Sequence, residues 1–135
     1  KSDFTDQTAF AERIAHELRG YDGPVALMSF DPRMLATLRD LAPHIPRGLG
    51  ATRIRSGDLP QAGALRRIAL THLLFIAAAR PHFISCEHTA LGLLGPLLAR
   101  RAARLPVIAW TIRTPVEADH ALRRAGAIIF EGFTP

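Results

Sequence analysis

Cysteine is almost missing from this chain, and lysine is equally scarce. Cys86 is the one cysteine in 135 residues, which excludes an intrachain disulfide and a thiolate-rich metal centre. Nothing therefore points to an oxidising compartment, and a cytoplasmic setting is expected. Lys1 is the one lysine among 17 basic residues, so the net charge of +5 and the pI of about 10.9 come from arginine. Those arginines are scattered over helix faces. They cluster in the pairs Arg66-Arg67, Arg100-Arg101 and Arg123-Arg124, with no aromatic residues between them to stack bases, and nucleic acid is not expected as a partner.

Other absences narrow the class further. There is no apolar run of about 18 residues, hence no membrane span, and neither a signal-like beginning nor a low-complexity tract is read. No Gly-x-Gly-x-x-Gly or Walker-type loop follows any strand candidate, which counts against a nucleotide fold. Ser29 lacks a Gly-x-Ser-x-Gly elbow and an evident base, so it is read as a backbone-end hydroxyl and not a nucleophile. With 48% hydrophobic and 21% charged residues, the chain supports one compact core, and residues 1–135 are read as a single segment.

What is present alternates between two periodicities. Residues 8–19 carry Phe10, Ile14 and Leu18 at helical spacing, which predicts a helix with one buried stripe, and Gly20 is the stop. Residues 25–29 read as a strand, and Asp31-Pro32 then opens a helix through Met34, Leu35, Leu38 and Leu41, closed by Pro43. A weaker strand at 47–51 leads through a polar loop at 55–60 into a helix over 61–78, with Leu65, Ile68, Leu73 and Ile76 inside. Residues 83–86 form the next strand. The helical stretch 89–104 contains Pro96, which suits a first turn, so a fresh helix is expected to begin at Gly95-Pro96.

The end of the chain is the most informative part. Residues 107–112 and 127–130 are near-continuous apolar runs, as expected of parallel strands covered on both faces. Between them Thr114, Pro115 and Glu117 compose a helix start with a capping box. This is a βαβ unit, and strands alternating with helices, without a hairpin signal, predict an α/β fold of about five parallel strands, better read as a barrel section than a nucleotide fold. Polar groups at the carboxyl ends of such strands hold the chemistry of barrels, and here those ends offer Trp110, Thr111, Arg113 and Glu131.

Two groups carry bland expectations. Glu87 and His88 follow a strand directly, but neighbours in extended chain point in opposite directions, so a solvated loop pair is expected in place of metal ligands. Cys86, inside an apolar strand, is expected to be inert.

Val-Ala-Leu-Met-Ser-Phe at 25–30, Trp-Thr at 110–111 and Gly-Ala-Ile-Ile-Phe-Glu-Gly-Phe-Thr-Pro at 126–135 together resemble the glycerophosphodiester phosphodiesterase family, and Lys1-Ser2 looks like the tail of its Glu-x-Lys strand. The resemblance implies a partial TIM barrel, of which this segment is the carboxyl-terminal part. It also implies hydrolysis of a glycerophosphodiester to an alcohol and glycerol 3-phosphate, with a divalent metal, magnesium or calcium, in the complete enzyme. The family's His-Arg-Gly, Glu-x-Asp and second His motifs do not occur here, so no metal is expected to be fully liganded by this segment. Within the resemblance Lys1 is a phosphate contact, while Phe30 and Trp110 wall the substrate. Arg113 stands where the family often has Asn, and Glu131 where it has Asp. Arg113 is thus free to bind an anionic group of the substrate or to pair with Glu131. An open barrel section also predicts self-association, or dependence on a missing amino-terminal half. The alternative is a noncatalytic α/β module that binds an anionic partner.

Overall fold

The computed structural model describes residues 7–54 and 63–134. Lys1, the polar loop at 55–60 and the start of the helix expected from 61 lie outside the described residues. Five strands, β1 (Leu27–Ser29), β2 (Arg47–Ala51), β3 (Phe83–Glu87), β4 (Val107–Ile112) and β5 (Ala127–Phe130), form one sheet. All neighbours are parallel and the spatial order follows the chain, β1-β2-β3-β4-β5. A doubly wound sheet reverses its order at a switch point, whereas a barrel wall does not. The sheet is therefore a partial barrel wall, as the sequence predicts.

The helices among the described residues are α1 (Thr8–Glu17), α2 (Pro32–Leu41), α3 (Ala64–Thr71), α4 (Ile76–Ala79), α5 (Leu94–Arg101) and α6 (Pro115–Leu122), with a 3-10 turn at His88–Ala90. One face of the sheet supplies Leu49, Ala51, Ile84, Cys86, Val107 and Ala109, which pack with Leu35, Leu73, Ala118 and Ala121 from the helical layer into the main core. Ala11, Met34 and Leu38 form a smaller cluster where α1 meets α2. Strand alternation sends the intervening residues to the opposite, concave face.

Local chemistry explains several boundaries. Asp31 accepts a hydrogen bond from the Arg33 N–H at 2.9 Å and caps α2, with Pro32 in its first turn. Thr114 caps α6 by accepting from the Glu117 N–H at 3.2 Å, while the Glu117 carboxylate reaches back to the Arg113 N–H at 2.7 Å. A fresh helix begins at Leu94, so Pro96 sits in a first turn as expected. At the far end of α2, the buried Arg47 donates from Nη1 to the carbonyls of Ala42, Pro43 and Ile45 at 3.3, 3.4 and 2.8 Å. It thereby ties the start of β2 to the loop that follows α2.

The structure corrects four expectations about burial and length. Phe10 is exposed and α1 buries Ala11 instead, because α2 covers only the strip next to it. The helix expected through residue 78 breaks after Thr71 into α3 and α4, and Leu65 and Ile68 lie outside the core. The stretch 89–104 is helical only as the 3-10 turn and α5, which ends at Arg101. Finally, β5 is not covered on both faces: Ile129 and Phe130 are exposed, as are Met28 and Phe30 at the other edge.

Candidate functional site

The concave face holds a cavity of about 400 Å³ lined by Met28, Ser29, Phe30, Gly50, Ser85, Trp110, Thr111 and Ile129. Small residues on the inner strands make the room. The ring of Phe30 lies directly over Gly50, where a Cβ would meet its Cδ1 at 2.6 Å. The residues on either side of Phe30 are held by hydrogen bonds of their own. The Ser29 hydroxyl accepts from the Asp31 N–H at 3.0 Å and donates to Met34 Sδ at 3.6 Å, and Asp31 itself is buried as the α2 cap. This is the structural role expected for Ser29.

Phe30 and Trp110 meet edge to face, with ring centroids 5.8 Å apart and an interplanar angle of 85°. The two residues thus form adjoining walls of one cavity at the carboxyl ends of β1 and β4. Arg113 and Glu131 lie at the rim. Arg113 Nη2 pairs with Glu131 Oε1 at 2.6 Å, both side chains being largely exposed, and the pair ties the chain after β4 to the chain after β5. Of the two roles open to Arg113, pairing with Glu131 is the one seen.

Glu87 departs from the loop pair expected of it. It belongs to β3 and is half-buried, and its Oε2 accepts from the Thr52 hydroxyl. Burial pushes its carboxyl up, but the hydroxyls of Thr52 and Thr89, the Arg53 N–H and nearby His88 more than offset this and hold it below the ordinary carboxylate value. Its Cα partner across the ladder is Trp110. Nothing local in the sequence links Thr52 to Glu87. The link follows from the parallel register, in which Ala51 lies beside Cys86 and the next residues of both strands become neighbours. Cys86, one residue earlier, is fully buried on the helical side, and burial, followed by the charge of Glu87, pushes its thiol up to about 12.

Lys1 lies outside the described residues. Among the described residues no group of three or more His, Cys, Asp and Glu side chains comes together, so they do not form a donor set for a divalent metal. No helix is long and apolar enough to cross a membrane, among the described residues.

No family model matches the chain, and no curated protein matches it. Among solved structures it is similar to one described as "Putative glycerophosphoryl diester phosphodiesterase from Silicibacter pomeroyi DSS-3", with a TM-score of 0.65 and 18% identity. The match covers 92% of this chain and 40% of that one. The shared feature at this identity is the fold.

Proposed function

We propose that this chain forms the carboxyl-terminal wall, and part of the active-site mouth, of a barrel that hydrolyses glycerophosphodiesters to an alcohol and glycerol 3-phosphate. One observation carries the reading. Phe30 and Trp110, distant in sequence and each within a motif that resembles the phosphodiesterase family, converge on a single cavity at the carboxyl ends of parallel strands. The likeness in fold to the Silicibacter protein supports it.

In this reading the two aromatic walls exclude water and hold the carbon skeleton of the substrate, while the Ser85 and Thr111 hydroxyls offer polar contacts within the same cavity. Lys1 contacts the phosphate. Arg113, held by Glu131, places a guanidinium at the rim, where an anionic group of the substrate can share it. The reaction of the whole protein depends on magnesium or calcium. The described residues do not fit a metal centre, so no metal step is assigned to this chain. By itself the chain is then inactive, and its apolar concave face and open edge strands lead it to self-associate or to require an amino-terminal half.

Trp110 is the one tryptophan of the chain, which makes the reading testable. Glycerol 3-phosphate is expected to change its emission saturably, with a dissociation constant on the order of millimolar for so few contacts, and Phe30→Ala is expected to remove the response. No change in emission at saturating concentrations would count against a substrate wall. Release of glycerol 3-phosphate from glycerophosphocholine is expected to be absent with the chain alone. Chelator-sensitive turnover would overturn its assignment as an incomplete site.

A further inference from the structure

α5 carries its residues the wrong way round for a helix on the outside of a barrel wall. Such a helix ordinarily turns its large apolar residues to the sheet and its polar ones to water. Here Gly95, Pro96 and Ala99 are buried, while Leu94 and Leu98, four residues apart and so on one face, are 57% and 51% exposed. Gly95 explains the inversion. A Cβ there would lie 2.4 Å from the His72 carbonyl carbon, so α5 sits too close to the turn after α3 to point a large residue inward. α3 repeats the feature, since Leu65 and Ile68 are 84% and 53% exposed, and Leu74 beyond its end is exposed as well.

The charge around these leucines is of one sign. Residues 59–116 carry seven arginines and one carboxylate, Glu87, a balance of +6 where the whole chain has +5. Glu87 is engaged by Thr52 at the end of β3, and neither α3 nor α5 contains an acidic residue. Arg100 and Arg101 close α5 and Arg104 follows it, and among the described residues none of the three forms an ion pair. α1 is different, because its exposed Phe10 stands among Glu12, Arg13 and Glu17.

These features select among the surfaces that could cover this face. Completing the barrel does not cover it: added strands join the open edges at β1 and β5, whereas α3 and α5 lie on the β2–β3 and β3–β4 connections in the middle of the wall. A second copy applying the same face would set arginine against arginine. A nucleic acid would use the arginines, but leucine and isoleucine offer no ring on which bases stack. A bilayer with anionic headgroups uses both sets of residues, because its surface attracts guanidinium groups while leucines enter the boundary between headgroups and acyl chains.

We propose that the outer face of α5 and α3 docks on an anionic phospholipid bilayer, with Leu94, Leu98, Leu65 and Ile68 in the headgroup boundary and the arginines after Leu98 on lipid phosphates. This face lies across the sheet from the cavity, so the assignment stands or falls independently of the phosphodiester reading.

Vesicle flotation tests it, because bound chain rises with the lipid and self-associated chain sinks. Vesicles of equal parts phosphatidylglycerol and phosphatidylcholine are expected to bind the chain about tenfold more strongly than pure phosphatidylcholine, and the binding should weaken as salt is raised. Leu94→Gln combined with Leu98→Gln should weaken binding to the anionic vesicles about tenfold, and so should Arg101→Gln combined with Arg104→Gln. All four side chains are exposed, so circular dichroism should show an unchanged fold, and the arginine pair remains the test if the leucine pair does not fold. Phe10→Gln, on α1, should bind as the unsubstituted chain does. Equal binding to both kinds of vesicle, or undiminished binding by the folded double variants, would overturn the proposal. Weakened binding by Phe10→Gln would also overturn it, since any exposed apolar residue would then serve. Without vesicle binding, self-association lost in the leucine pair would assign the face to a second copy, and single-stranded DNA binding lost in the arginine pair would assign it to nucleic acid. Each of these two results would overturn the membrane assignment.

Discussion

Replacing Gly95 with alanine asks how closely α5 is seated on the turn after α3. The added Cβ would lie 2.4 Å from the carbonyl carbon and oxygen of His72 and 2.8 Å from its Cα. All three are backbone atoms, so no side chain can swing aside, and relief requires moving a helix. Overpacking of this kind costs about 3 kcal/mol, near the upper end of its usual range. Alanine in a helix is better than glycine by about 1 kcal/mol, which leaves a net loss of about 2 kcal/mol. For a domain of this size that corresponds to a fall in Tm of roughly 8 °C, read by circular dichroism at 222 nm. Gly50→Ala is the informative contrast. Its Cβ would meet the Phe30 ring at 2.6 Å, but that ring is a partly exposed side chain and can rotate away. Stability should then change by less than about 1 kcal/mol, while Trp110 loses its edge-to-face partner and its emission shifts. Gly92→Ala meets nothing within 4 Å and serves as the control. If Gly95→Ala melts with the unsubstituted chain, α5 does not rest on the His72 backbone and the argument fails.

Four further outcomes are expected. Cys86 should resist Ellman's reagent in the folded chain at neutral pH and react only on unfolding, and rapid native labelling would contradict its burial. Its thiol is raised from 9.0 to about 12 by burial, then by Glu87, so the stability it contributes is complete below pH 9 and is lost as pH rises from 9 through 12. Urea midpoints measured across that range would reveal the loss, and a flat profile would refute it. Thr114→Ala removes the α6 cap and should cost about 1 kcal/mol by urea denaturation, whereas Thr114→Ser should largely restore it. Arg113→Met breaks an exposed pair and should change stability by less than about 1 kcal/mol. A larger loss would mean that the rim pair holds β4 and β5 together more firmly than its exposure implies.

How much of this was legible in advance depends on the reach of each interaction. The caps of α2 and α6, the new helix at Leu94 and the parallel βαβ unit at the end of the chain were all readable. Phe30 and Trp110 are legible as candidate walls through family motifs and not through periodicity. Their contact depends on Phe30 reaching across Gly50 on β2, the first of the two strands between β1 and β4, which no local pattern encodes. Glu87 was misread for a related reason, since its hydroxyl partner Thr52 comes from the neighbouring strand.

The sequence by itself determined the order of strands and helices and most of their beginnings, because caps, prolines and apolar spacing act within one or two turns of chain. Tertiary structure alone decided which apolar residues are covered. Phe10, Leu65 and Ile68 have helical spacing yet remain exposed, and β5 is open on the concave face. Periodicity tells which side chains share a face, but burial requires a second surface, and that surface comes from elsewhere in the fold. The same holds for the candidate site, where parallel register brings Glu87 beside Trp110 and beneath the Thr52 hydroxyl.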